Sequence, residues 1–185
     1  VRFATYNVWG VPRPFLRKPS RLPLIAKHLP NLNSDIVAFQ EAFSKSTQVF
    51  AQMPEYPYRV WGAPKPGHKF QGSGLLLVSK WPILETATRD YSTSNFIDKF
   101  GRKGVLYARI DVPEIGEIDV FTTHTSAGIK DKIRITQIRE LVAFIQEHMS
   151  DRPVVLLGDL NTKPNAESYN QLVNILGARD CHVEF

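Results

Sequence analysis

PVVLLGDLN, Pro153–Asn161, is an apolar run that stops on a glycine, a carboxylate and an amide. A short apolar run bounded by Pro153 and Gly158 reads as a buried strand over Val154–Leu157, with Asp159 and Asn161 delivered into the loop behind it. Upstream, Lys132–Met149 carries the helical period. Ile135, Ile138, Val142, Ile145 and Met149 recur at spacings of three and four, and Leu141 widens the stripe. Arg134, Gln137, Glu140 and Glu147 are expected on the opposite, solvent face. Before that helix, Glu117–Thr123 is again a strand-like run, and it finishes in His124. Strand, helix, strand in this order describes one layered α/β unit.

Working outward, further strands are expected at Arg2–Val8, Ile36–Phe39, Tyr58–Trp61, Gly74–Ser79, Ile83–Tyr91 and Val105–Asp111. Further helices are expected at Arg21–Leu29, at Lys45–Met53 behind a Ser44 cap, and at Ala166–Leu176 behind Pro164 and Asn165. No repeat, low-complexity tract or long linker divides the 185 residues, so a single domain over 1–185 is expected. Its 43% hydrophobic and 22% charged residues are globular proportions, without the composition of disorder. No apolar run approaches the roughly 20 residues of a membrane span, and no signal-peptide pattern opens the chain. Cys181, the lone cysteine, excludes an intrachain disulfide and a cysteine-built zinc site.

The net charge of +5 and a pI of about 9.4 favour anionic partners, namely nucleic acid, acidic lipid headgroups or phosphorylated small molecules. Arg13, Arg17, Lys18 and Arg21 share a proline-rich stretch with Phe15 and Leu16, and Lys65, His68, Lys69 and Phe70 share another. Both read as loops with basic, apolar tips; equally, both read as ordinary solvated loops. Beyond them, no interleaving of basic and aromatic residues marks a nucleic-acid track.

Several strand runs end in residues that can hold a metal or a phosphate: Asn7, Glu41, His124, and Asp159 with Asn161. Ligands gather at the carboxyl ends of strands in α/β sheets. Singly, each residue has a plainer reading. Asn7 is a turn former, Glu41 a helix-start carboxylate, His124 a satisfied half-buried histidine, and Asp159-Leu160-Asn161 an Asx turn. Jointly they suit a hard divalent cation and phosphoryl transfer. Magnesium takes one or two carboxylates and fills its shell with waters and phosphate oxygens, whereas zinc would want more histidines or thiolates. His124 could then donate to a phosphate oxygen, and Asp159 could orient or deprotonate a water.

TYNVWG at Thr5–Gly10, QE at Gln40–Glu41, SGLLLVSKWPI at Ser73–Ile83, TTHT at Thr122–Thr125 and GDLN at Gly158–Asn161 follow one another in the order of a known set. They resemble the signature blocks of the endonuclease/exonuclease/phosphatase superfamily, whose fold is that of deoxyribonuclease I. The resemblance implies a four-layer α/β/β/α sandwich of two packed mixed sheets. It also implies a metal-dependent phosphoric diester hydrolase using magnesium, or manganese in its place. Carried across, it makes Glu41 and Asn7 the metal residues, His124 the stabiliser of the transition state, and Asp159 and Asn161 the residues that position nucleophile and phosphate. Within the superfamily TYNVWG, KGVLYARI at Lys103–Ile110 and Asp98 are similar to the neutral sphingomyelinase branch. There, such an Asp and Lys act beside the phosphate, so Asp98 and Lys103 are expected to bind substrate phosphate; their plain reading is an exposed pair flanking Gly101.

Family members end in a stretch of sheet with a Ser-Asp-His motif, whose histidine serves as general base. No such motif occurs here, and His182 in ARDCHVEF, Ala178–Phe185, does not match it. The natural protein is therefore expected to continue for several tens of residues, and the sandwich to lack its C-terminal strands. The activity expected from the resemblance is hydrolysis of a phospholipid such as sphingomyelin by a monomer that touches membrane through the Arg13–Arg21 loop, either secreted or membrane-peripheral. A nuclease or apurinic endonuclease, with nucleic acid as partner, and a lipid-phosphate binding module without turnover are the alternatives.

Overall fold

The computed structural model describes residues 1–11, 21–64, 72–95, 101–128 and 131–184. Its strands are β1 (Phe3–Asn7), β2 (Ile36–Gln40), β3 (Tyr58–Trp61), β4 (Leu76–Ser79), β5 (Ile83–Asp90), β6 (Gly104–Val112), β7 (Gly116–His124) and β8 (Val154–Asp159). The helices are α1 (Arg21–His28), the single turn α2 (Gln48–Ala51), α3 (Asp131–His148), α4 (Glu167–Leu176) and the single turn α5 (Cys181–Glu184). Every expected strand is present, with ends shifted by a residue or two.

Two four-stranded sheets form, in the orders β1-β2-β4-β3 and β5-β6-β7-β8. Each is mixed for the same reason. Strands joined without a crossover helix pair antiparallel, by a short turn between β6 and β7 and by the longer connection 91–103 between β5 and β6, whereas strands separated by a crossover helix pair parallel. α1 makes that crossover between β1 and β2, and α3 makes it between β7 and β8.

Alternation along the strands assigns the layers. Ile36, Leu77, Leu106, Ala108, Ile110 and Val120 meet between the sheets. Val37, Phe39 and Val78 face outward onto Leu22, Ala26 and Phe50 from the helices on one side. On the other side Val105, Tyr107 and Phe121 face Ile138, Leu141, Phe144 and Ile145 of α3 and Leu172 of α4. The result is the expected four-layer sandwich.

The parallel registers end at Asn7↔Gln40 in one sheet and at His124↔Asp159 in the other. The carboxyl ends of four strands thus form one rim. Among the described residues β1 and β8 are the outer strands of their sheets and lie beside each other. Thr5 and Tyr6 of β1 are exposed, as is Val154 of β8, and Val155, Leu156 and Leu157 are only half-buried.

Three local expectations fail. Arg134 and Gln137 are buried, at 7% and 0% exposure, because α3 lies flat on its sheet and its polar face meets the loops that leave β5 and β7. Met149 is exposed just past the end of the helix, and Phe144 takes the core place instead. Ser44 precedes a 3-10 turn, Lys45–Thr47, and its hydroxyl bonds Ser46 without capping a helix. The basic loop residues Arg13, Arg17 and Lys18, and likewise Lys65, His68, Lys69 and Phe70, lie outside the described residues.

Candidate active site

Asn7 ties the two sheets together at the rim. Its Nδ2 donates to Glu41 Oε1 at 3.1 Å and across the sandwich to Asp159 Oδ2 at 2.9 Å. Its Oδ1 accepts from the Trp9 amide at 3.0 Å, so the side chain is fixed at both ends. Gln40, the neighbour of Glu41 and 1% exposed, makes a second cross-link: its Nε2 donates to Thr5 Oγ1 at 3.0 Å and to Thr122 Oγ1 at 3.2 Å. The sequence reading used Gln40 only as part of a motif; its signal was a polar residue at an inward position of an otherwise apolar strand.

Glu41 is held in the left-handed region at φ 58°. That conformation costs an L-residue roughly 1–2 kcal/mol and persists only where its surroundings enforce it. Here the Glu41 carbonyl accepts from both the Gly10 and Phe43 amides at 2.9 Å, which turns the side chain onto the rim. Gly158 solves a related problem in β8. Its φ of 149° suits glycine, and a Cβ there would collide with the Thr123 backbone of β7.

Asp159 does bend back as an Asx turn, its Oδ1 accepting from the Asn161 amide at 3.0 Å, while its Oδ2 accepts from Asn7 at the rim. Asn161, at φ 46°, donates from Nδ2 to the Thr125 carbonyl at 3.0 Å. Thr125 returns its amide to the Asp159 carbonyl at 3.1 Å and its hydroxyl to Leu160. The loops after β7 and β8 are thereby locked together.

His124 is 1% exposed, with Nε2 lying 3.7 Å from Asp159 Oδ2 and 3.9 Å from Glu41 Oε1. Lys103 Nζ stands 3.0 Å from its Nδ1 and 2.9 Å from its Nε2. Burial, reinforced by the Lys103 charge and opposed by Asp159, pushes the imidazole pKa down to about 3. His124 is therefore neutral at physiological pH and offers an N–H dipole in place of a charge. Of the predicted set, the rim gathers Asn7, Glu41, Lys103, His124, Asp159 and Asn161; Asp98 lies outside the described residues. A cleft of about 400 Å³ opens along the β1-β8 side of this rim, lined by Thr5, Asn7, Gln40, Asp159, Asn161 and Tyr169 among others, while Glu41, Lys103 and His124 stand outside its lining.

These donors fit a hard cation. Glu41 and Asp159, carboxylates from different sheets and partly exposed, offer anionic oxygens; Asn7 presents Nδ2 to both and Oδ1 to the Trp9 amide, so it would join them as a ligand with its amide turned over, and no cluster of three or more His, Cys, Asp or Glu suited to a metal forms among the described residues. An ion here would take few protein ligands and keep its waters, as magnesium does.

The matching family model is that described as the endonuclease/exonuclease/phosphatase family, over residues 4–180. The chain belongs to that family. Phospholipase C of Staphylococcus aureus is 29% identical over 199 residues, covering 95% of this chain and 58% of that protein. Sphingomyelinase C of Listeria ivanovii is 29% identical over 195 residues, covering 92% and 56%. The chain thus spans about half the length of the curated relatives it matches, 41% and 58% in two of them. Among solved structures of the fold, a beta toxin of Staphylococcus aureus with bound magnesium ions superposes at a TM-score of 0.83 and 23% identity, covering 95% of this chain and 70% of that one. The sphingomyelinase likeness expected from TYNVWG and KGVLYARI is borne out by these relatives. No helix among the described residues is long and apolar enough to cross a membrane.

Proposed function

We propose that this chain is the catalytic core of a magnesium-dependent phosphodiesterase that splits a phospholipid such as sphingomyelin into a lipid alcohol and a phosphorylated headgroup. The observation that carries the reading is the meeting of two carboxylates, Glu41 and Asp159, on one amide, Asn7, within 4 Å of a buried neutral histidine. Phospholipase C and sphingomyelinase C among the relatives, and the magnesium of the beta toxin structure, support the lipid and the metal.

Glu41 would hold the cation, with Asn7 joining it through Oδ1 once its amide turns over, and a bound ion would polarise a non-bridging phosphate oxygen. Lys103 and the N–H of His124 face the charge that builds on the other oxygens, in a dry setting where such contacts count for most. Asp159 orients the attacking water, and Asn161 holds the loop that presents it; Asp98, outside the described residues, takes its phosphate-binding role from the family resemblance alone. Among the described residues, Asp159 is the carboxylate that would take the proton of that water.

The direct test is phosphocholine release from sphingomyelin in mixed micelles by the full-length protein, with and without magnesium. Magnesium-dependent release is expected. Nicking of plasmid at low salt without phosphocholine release would make the enzyme a nuclease, and tight magnesium-dependent liposome binding without hydrolysis would make it a binding module.

A further inference from the structure

α3 carries a second pattern, offset from its apolar stripe: Asp131, Arg134, Gln137 and Glu140, each three residues from the last. Three of these side chains hold loops that leave the rim, and Asp131 holds the first turn of α4. Glu140 accepts from the amide and hydroxyl of Ser92, in the loop after β5. Arg134 Nη1 donates to the carbonyls of Ser126 and Gly128, in the loop after β7. Asp131 accepts the Ser168 amide at 3.2 Å and its hydroxyl at 2.7 Å, beyond the GDLN loop.

Gln137 is the member that joins two loops at once. Its Oε1 accepts from the Ser126 amide at 2.8 Å, while its Nε2 donates to the Thr93 carbonyl and to Ser126 Oγ, each at 2.8 Å. At 0% exposure it has no water to fall back on, and its amide is committed to backbone and hydroxyl partners on both sides. Ser126 lies two residues beyond His124, and Thr93 lies two residues beyond Tyr91, whose amide donates to the Lys103 carbonyl at 2.9 Å.

We infer that Gln137 is a positioning residue of the phosphodiesterase site, setting the separation of Lys103 and His124 by clamping the loop after β5 to the loop after β7. The inference rests on the proposed activity, and nothing in it involves the metal half of the rim: Asn7 and Glu41 stand on the other sheet.

The test compares wild type with Gln137→Met, which keeps the length and loses every hydrogen bond, and Gln137→Glu, whose ionised form keeps the acceptor for Ser126 and has no donor for Thr93. Three quantities are read on the full-length protein: magnesium affinity by calorimetry, kcat per magnesium-binding molecule, and hydrogen exchange of the Ser126 amide. For Gln137→Met, kcat is expected to fall roughly 10- to 100-fold. Magnesium affinity should stay within about 2-fold, because Asn7 and Glu41 stand on the other sheet and share no hydrogen-bond partner with Gln137. Ser126 exchange should rise about 10-fold or more while β2 amides keep their protection. Gln137→Glu should fall between, and it carries the test if the methionine variant does not fold. Unchanged kcat per binding site, or parallel loss of kcat and magnesium affinity, overturns the inference. If wild type hydrolyses no phosphodiester, the proposed function fails separately, and Ser126 exchange alone decides whether Gln137 clamps these loops.

Discussion

The two halves of the rim are built in opposite ways. On the β1-β2 sheet, Asn7 at the end of β1 and Glu41 just past β2 stand partly exposed, and Glu41 is held by a strained backbone with two amides on its carbonyl. On the β7-β8 sheet, His124 is sealed at 1% exposure, with α3 side chains holding the loops around it. The chemistry proposed for each half explains the contrast. A magnesium ligand must leave room for waters and substrate oxygens, whereas a group that stabilises developing charge works best when dry and immobile.

The largest effect is expected at the exposed half. Glu41→Ala should remove magnesium binding and lower kcat by about 10³-fold or more, since several kcal/mol of charge stabilisation go with the ion. Glu41→Gly should be just as inactive yet more stable than Glu41→Ala by about 1 kcal/mol, because glycine accepts the φ of 58° without strain. Equal unfolding midpoints in urea for the two variants would mean that the backbone there stores nothing. On the sealed half, His124→Gln should cost about 10²–10³-fold in kcat while magnesium affinity stays nearly unchanged. Loss of both together would show that the halves are one unit. Lys103→Met comes next, at roughly 10- to 100-fold, with the loss falling on kcat because its charge meets the phosphate most strongly in the transition state.

The same contrast separates what could be read in the sequence from what could not. Strand-ending residues were legible because short strand runs stop at a polar residue and their last position lies at the rim, as with Asn7 and His124. Which sheet each strand joined was not, since that depends on crossovers whose packing is tertiary. Gln137 and Arg134 were misplaced on the solvent face for a physical reason: helical periodicity marks the apolar stripe, and a polar residue turned toward loop carbonyls looks the same in sequence as one turned toward water. Gln40 was passed over likewise, although a polar residue at an inward strand position has to find partners. The one usable signal was the spacing of three through Asp131, Arg134, Gln137 and Glu140, which a purely solvated face does not require.

Asp131 gives the smallest effect and tests whether the α3 clamps contribute to stability as well as to position. Burial pushes its carboxyl up, but the Ser168 hydroxyl and amide and the Arg134 guanidinium together outweigh that and hold it below the ordinary carboxylate range. A carboxyl whose pKa is lower folded than unfolded contributes stability that is fully present above its unfolded value, near 3.8, and is lost as pH falls through the folded value. Asp131→Asn should therefore lower stability at pH 7 by about 1 kcal/mol, in line with loss of a charge-assisted cap on α4. The deficit should shrink as pH falls through the lowered folded value, where the wild-type carboxyl is itself protonated. Urea midpoints of the two proteins measured from pH 7 to pH 3 decide it: converging curves show an ionised clamp at work, and parallel curves mean that the Asp131 contacts owe nothing to its charge.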